Sequence, residues 1–234
     1  MNLRIFDSVA DVLQATARTI VQRVEGRDRC TIALSGGSTP VPLYEALGRS
    51  PLREELARTA ITWVVVDERY VPFDDPQSNA GMIQRTLFAN GLSDGHRFLP
   101  FRTHFADPHE SAAEFEREWR DLGIESLDIV LLGIGDEGHT ASLFPETEAL
   151  AIDDRLAAAN FVPKLDRWRV TLTKPPLRAA ALRLVVVGGA SKRPVIDAIR
   201  AGNTDLPIAQ VTVGAEGETW WLVDRAAAGG DSKD

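Results

Sequence analysis

Four aliphatic runs decide most of what this chain can become: TIAL (31–34), ITWVVV (61–66), LDIVLLGIG (127–135) and LRLVVVGG (182–189). None alternates apolar with polar, so none reads as a strand with one wet face. Each reads as a strand buried on both sides, the pattern of a parallel sheet held between helices. Each run also gives out into glycine or an acid. Helical spacing fills the intervals. Val9, Val12, Thr16, Ile20 and Val24 recur on one face, behind Asp7 and Ser8 as candidate caps. In DPHESAAEFEREWRDLG, Asp107 stands as N-cap, Pro108 lies in the first turn and Glu110 follows three residues after the cap. Ala112, Phe115, Trp119 and Leu122 form its inward stripe before Gly123 stops it. A further helix is expected within SKRPVIDAIRAG (191–202), with Pro194 early and Gly202 as its stop. Strand–helix alternation predicts an α/β fold: a three-layer, Rossmann-like domain with a mostly parallel sheet and helices on both faces. No repeat or linker divides it, so residues 1–225 are expected to form a single domain and 226–234 a disordered tail.

Composition removes several classes of function. The chain carries 26 Lys and Arg against 34 Asp and Glu, a net charge of −8, and shows no basic stripe of the kind a nucleic-acid partner requires. No apolar run approaches the ~18–20 residues of a membrane span. The opening MNLRIFDSVADVLQ lacks the basic-then-apolar order of a signal peptide. Cys30 is the sole cysteine, which excludes an intrachain disulfide and leaves it as a space-filling residue at a strand start. The expectation is a cytoplasmic protein with no nucleic-acid, membrane or obligate protein partner. An acidic chain can still hold an anionic metabolite in a locally cationic pocket.

In parallel sheets ligands bind beyond the carboxyl ends of the strands, so chemistry is sought in the four segments that follow the runs. SGGSTP (35–40) sets Gly36 and Gly37 where backbone N–H groups can approach a ligand, with Ser38 and Thr39 supplying hydroxyls at a helix start. It reads either as a phosphate loop or as a tight turn with an ordinary cap; it lacks the Lys of a P-loop. DERYVP (67–72) packs three charges after WVVV, and burial there is costly unless they are paired or solvated. Asp67 can position a hydroxyl or act as a base, and Arg69 offers a fork for phosphate; the alternative is an Asp–Arg pair tying down the loop. Ser78 and Asn79 open a helical stretch, where capping is the simplest role. GIGDEGHTASLFP (133–145) surrounds His139, one of four histidines, with glycines and acids. Imidazole is the side chain whose ordinary pKa suits general-base work near neutrality. Metal binding fits poorly, since no second histidine stands at helical spacing and no cysteine helps. VVVGGASKRP (185–194) places Lys192 in a first helical turn, against the dipole, which nearby anions would explain; the alternative is a solvated surface lysine.

Together SGGSTP, DERYVP, SN, GIGDEGHTASLFP, RVTLT and GGASK, in this order, resemble the glucosamine-6-phosphate isomerase/6-phosphogluconolactonase family from the first helix to about Val223. The resemblance is strongest to its lactonases. It implies hydrolysis of 6-phospho-D-glucono-1,5-lactone to 6-phosphogluconate in the oxidative pentose phosphate pathway, with a sugar-phosphate lactone as the only partner and no metal or organic cofactor. It implies that His139 activates the attacking water, with Asp67 and Glu137 beside it. Gly36, Gly37, Ser38, Thr39, Arg69, Asn79, Arg169 and Lys192 are carried over to phosphate and sugar binding. Deaminases of the family usually carry an Asn-Glu pair where Leu143 and Phe144 stand, and the residue two before the histidine is commonly Asp rather than Glu137. The alternatives are a glucosamine-6-phosphate deaminase/isomerase and a non-catalytic sugar-phosphate-binding protein that would have no use for His139.

Overall fold

A computed structural model describes residues 1–229. The first strand, β1 (Asn2–Phe6), leads into α1 (Val9–Val24), where Ser8 caps the Asp11 N–H and Val12, Thr16, Ile20 and Val24 are buried as their spacing predicts. Then follow β2 (Arg29–Leu34), the short helices α2 (Val41–Leu47) and α3 (Leu52–Leu56), β3 (Ala60–Val65), β4 (Asp67–Arg69), α4 (Asn79–Thr86) and β5 (Arg97–Leu99). α5 (Pro108–Asp121), capped by Asp107, buries Ala112, Phe115 and Trp119. It precedes β6 (Ile129–Leu132), the hairpin β7 (Ala157–Val162) and β8 (Arg167–Leu172), α6 (Lys174–Arg178), β9 (Leu182–Val187), α7 (Arg193–Arg200), α8 (Pro207–Thr212), β10 (Glu218–Asp224) and α9 (Arg225–Ala228).

Seven strands form one sheet in the order β1-β10-β9-β6-β2-β3-β5, and every pairing in it is parallel. β6 and β9 lie at its centre with all their residues buried, as continuous apolar runs require of a sheet covered on both faces. The three-layer α/β architecture expected from the sequence is therefore present. Three parts of the sequence reading need correction. DERYVP is not simply a loop: Asp67–Arg69 form β4, the first strand of a second, antiparallel sheet ordered β4-β8-β7. The switch between sheets takes one residue, for Val66 donates to Leu34 O of the large sheet at 3.0 Å while its own carbonyl accepts from Leu172 N at 2.8 Å. SGGSTP does not cap a helix, because α2 begins at Val41 after Pro40 and receives no side-chain cap. The first residues of the expected tail are helical: Asp224 caps the Ala227 N–H and α9 runs through Ala228; residues 230–234 lie outside the described residues. Lys192 closes a single 3-10 turn, Ala190–Lys192, just before α7. Cys30 is buried at the start of β2, where burial pushes its thiol pKa to about 12. Among the described residues no helix is long and apolar enough to cross a membrane.

Candidate active site

Because the large sheet is parallel, Ser35, Gly133 and Gly188 leave β2, β6 and β9 at one edge, and Asp67 leaves β3 there to enter the second sheet. A cavity of about 330 Å³ opens between them. Gly36, Gly37, Ser38 and Thr39 line one side, and Asp67, Arg69 and Asn79 another. His139, Arg169 and Lys192 complete it, so every site candidate except Glu137 faces this one space.

Each wall has a local cause. Ser35 Oγ donates to Leu131 O at 2.6 Å and Tyr44 Oη to Ser35 O at 2.7 Å, which fixes the start of the glycine loop. Any Cβ on Gly36 would lie 1.9 Å from Asn79 Oδ1, so this position has room only for glycine. Asn79 donates from Nδ2 to Asp67 O at 2.7 Å, and its buried Oδ1 has no hydrogen-bond partner. The capping role belongs to Ser78, which accepts from Gly81 N. Beneath them Glu68, 1% exposed, accepts from the backbone N–H groups of Arg69, Asn79 and Ala80, each at 2.7 Å, and from Ser78 Oγ at 3.0 Å. Burial still pushes its carboxyl pKa upward. The sequence reading passed over Glu68; its place inside DERYVP next to the charged candidates was the available signal.

His139 sits on a tight turn in which Gly135 N donates to His139 O at 2.8 Å and Gly138 N to Gly135 O at 3.0 Å. A Cβ on Gly135 would fall 2.0 Å from His139 Nδ1, so the imidazole lies directly over bare backbone. Its other face stacks on Phe144, centroids 4.1 Å apart and planes at 23°. Glu137 stands outside the cavity lining with Oε2 3.0 Å from His139 Nδ1, close enough for charge interaction though not aligned as a hydrogen bond. Burial lowers the His139 pKa below its ordinary 6.5; Asp67 opposes that shift, Lys192 and Arg169 reinforce it, and Asp136 opposes it. A neutral imidazole able to take a proton is the consequence. The residues after it are clamped by the second sheet. Ser142 donates from Oγ to Asp67 Oδ2 at 2.6 Å and from N to Thr171 Oγ1 at 3.2 Å, and Asn160 Nδ2 donates to Ser142 O at 2.8 Å. Ser142 and Asn160 gave no signal at the level of sequence, because their partners lie on strands remote along the chain.

Three cations, Arg69, Arg169 and Lys192, line the cavity. Arg69 and Arg169 are directly opposed across β4 and β8, an arrangement that is unfavourable by itself. The alternative role for these charges, an Asp67–Arg69 tie, is not made: Arg69 Nη1 donates to Gln77 O at 2.7 Å. Arg169 Nε is buried without a partner, and burial, followed by Arg69, lowers its pKa. Lys192 pairs with the exposed Asp136 at 2.7 Å, which supplies the anion its position called for.

The fold is thus an α/β protein in which a parallel sheet and its antiparallel neighbour bring an imidazole of lowered pKa and three cations to one cavity. The family model for glucosamine-6-phosphate isomerases/6-phosphogluconolactonase matches residues 6–221, and the chain belongs to that family. The 6-phosphogluconolactonase of Nostoc sp. is 38% identical over 212 residues, covering 87% of this chain and 85% of its own. The crystal structure of 6-phosphogluconolactonase from Leishmania guyanensis matches with a TM-score of 0.84 at 26% identity, covering 99% of both chains. A monomeric glucosamine-6-phosphate deaminase shares the fold at a TM-score of 0.83 and 21% identity, over 98% of this chain and 99% of its own.

Proposed function

We propose that the chain hydrolyses 6-phospho-D-glucono-1,5-lactone to 6-phospho-D-gluconate. The observation that carries this reading is one cavity holding both His139, whose burial favours the neutral base, and the opposed pair Arg69–Arg169 with Lys192 nearby. A phosphate in the cationic part would relieve the like-charge opposition of the two arginines and fix the lactone for in-line attack. His139 takes a proton from water as its oxygen adds to the lactone carbonyl carbon, and the carbonyl oxygen becomes an oxyanion. When the tetrahedral intermediate collapses, the bond to the ring oxygen breaks and the leaving alkoxide takes the proton back from His139. The acid product then ionises. A lactone is already activated, so positioning and one base suffice, and the reading uses no metal, organic cofactor or serine nucleophile.

The deaminase alternative needs a second acid–base group for ring opening. Phe144, stacked on His139, occupies the place where that carboxylate would be expected. The test is acid release from freshly generated lactone, corrected for spontaneous hydrolysis, in the wild type and His139→Ala. Turnover in the variant is expected to fall by about 10²–10⁴, with an acid limb in the wild-type kcat/KM profile below the ordinary imidazole pKa. Unchanged turnover in His139→Ala would sink the general-base role, and ammonia release from glucosamine 6-phosphate would favour the deaminase.

A further inference from the structure

The hairpin β7–β8 reaches the histidine a second way. Its turn, Pro163–Leu165, carries Lys164, whose Nζ contacts Glu137 Oε1 and lies 5.1 Å from the centroid of Phe144. Glu137 meets the edge of the His139 ring and Phe144 covers its face. One cation thus contacts Glu137 and lies near Phe144, two groups that flank the imidazole, from a hairpin whose other strand residues, Asn160 and Thr171, already hold Ser142. We propose that Lys164 is a positioning residue for His139, acting through Glu137: it balances the carboxylate so that Glu137 orients the ring without holding it protonated. The inference rests on His139 being the base and adds to that reading the group that sets its charge state.

An isolated carboxylate 3.0 Å from Nδ1 would favour imidazolium. Pairing that carboxylate with an ammonium cancels most of the pull while leaving its oxygens in place. The remaining field on the ring comes from Asp67 of β4, Arg169 of β8, Lys192 ahead of α7, and Asp136 on the same loop. None of these contacts Lys164 in the pairs described, so they persist when Lys164 is changed. The Lys164 side chain is 54% exposed, so its ion pair adds little to global stability and a variant there keeps its fold.

The experiment uses Lys164→Met, Lys164→Arg and the double variant Lys164→Met/Glu137→Gln. The His139 midpoint is read from its imidazole proton resonances without substrate, and separately from the acid limb of kcat/KM for the phosphorylated lactone. Lys164→Met is expected to raise the midpoint by about 0.5–1 unit, lowering kcat/KM about three- to tenfold on the acid side. Lys164→Arg should keep the wild-type midpoint, and adding Glu137→Gln to Lys164→Met should bring it back down. An unmoved midpoint in Lys164→Met overturns the proposal, and so does an equal shift in Lys164→Arg, which would make the role one of shape. Because the resonance titration needs no turnover, failure of the lactonase reading would show in the assay alone and stay distinguishable.

Discussion

Three cations reach the cavity, but their present partners differ, and that difference ranks them. Lys192 is engaged with Asp136 at 2.7 Å and Arg69 with Gln77 O at 2.7 Å. Arg169 alone of the three has a buried Nε with no partner. A buried donor left unsatisfied is costly, so it has the most to gain from an arriving phosphate. Arg169→Ala is therefore expected to raise KM for the phosphorylated lactone most, by about 10–100-fold, with Arg69→Ala near tenfold and Lys192→Ala smaller. An unphosphorylated lactone is the control, and equal KM effects on both substrates would remove these residues from phosphate recognition. In sequence Arg169 stands in RVTLT, far from any glycine loop, and rested on resemblance alone. What marks it physically is its cross-strand opposition to Arg69, and that depends on a pairing register no local pattern encodes.

At the level of elements, the strands that were legible are those buried on both faces. Runs such as IVLL of β6 announce themselves because every position is apolar, whereas the edge strands β1 and β5 and the second sheet do not. β8 reads RWRVTL with its first residues exposed, and β7 is alanine-rich, so neither carries the signature of a central strand. One central strand also hides a polar device. Arg183, the second residue of β9, is fully buried and has no acidic side chain among its hydrogen-bond partners. It donates from Nη1 to the carbonyls of Leu177, Arg178 and Ala180 at 3.2, 2.9 and 2.8 Å, from Nη2 to Glu216 O, and from Nε to Thr219 Oγ1 at 2.8 Å. It thereby ties the end of α6 to the approach to β10. Arg183→Met keeps the volume but strands those carbonyls, and is expected to lower unfolding stability by about 3 kcal/mol or more. Urea unfolding with an unchanged m-value would measure it; a loss below about 0.5 kcal/mol would mean that water replaces the guanidinium.

Across the whole molecule, the cavity draws its walls from residues 35 to 192, delivered by β2, β6 and β9 of one sheet and β4 and β8 of another. The glycine- and acid-rich ends of the apolar runs made the first group readable, since strand order alone brings them to one edge. The second sheet was not readable, and it carries Arg169 together with the clamp on the residues that follow His139. A site assembled this way exists only in the native chain, so a ligand that fills it must stabilise the entire fold by mass action. With product 6-phosphogluconate at about 100 times its Kd, the gain is about 2.7 kcal/mol, or a rise in Tm of roughly 5–11 °C for a chain of this size. Gluconate, lacking the phosphate, should give far less at the same concentration. The Arg69→Ala/Arg169→Ala double variant should lose most of the phosphate-dependent rise while His139→Ala keeps it, because the histidine serves the reaction and the arginines serve binding. Thermal unfolding of these three proteins with both ligands separates the roles. If His139→Ala lost the shift as completely as the arginine pair did, the imidazole would itself be holding the phosphate, and the division of the cavity into a cationic part and a catalytic part would have to be redrawn.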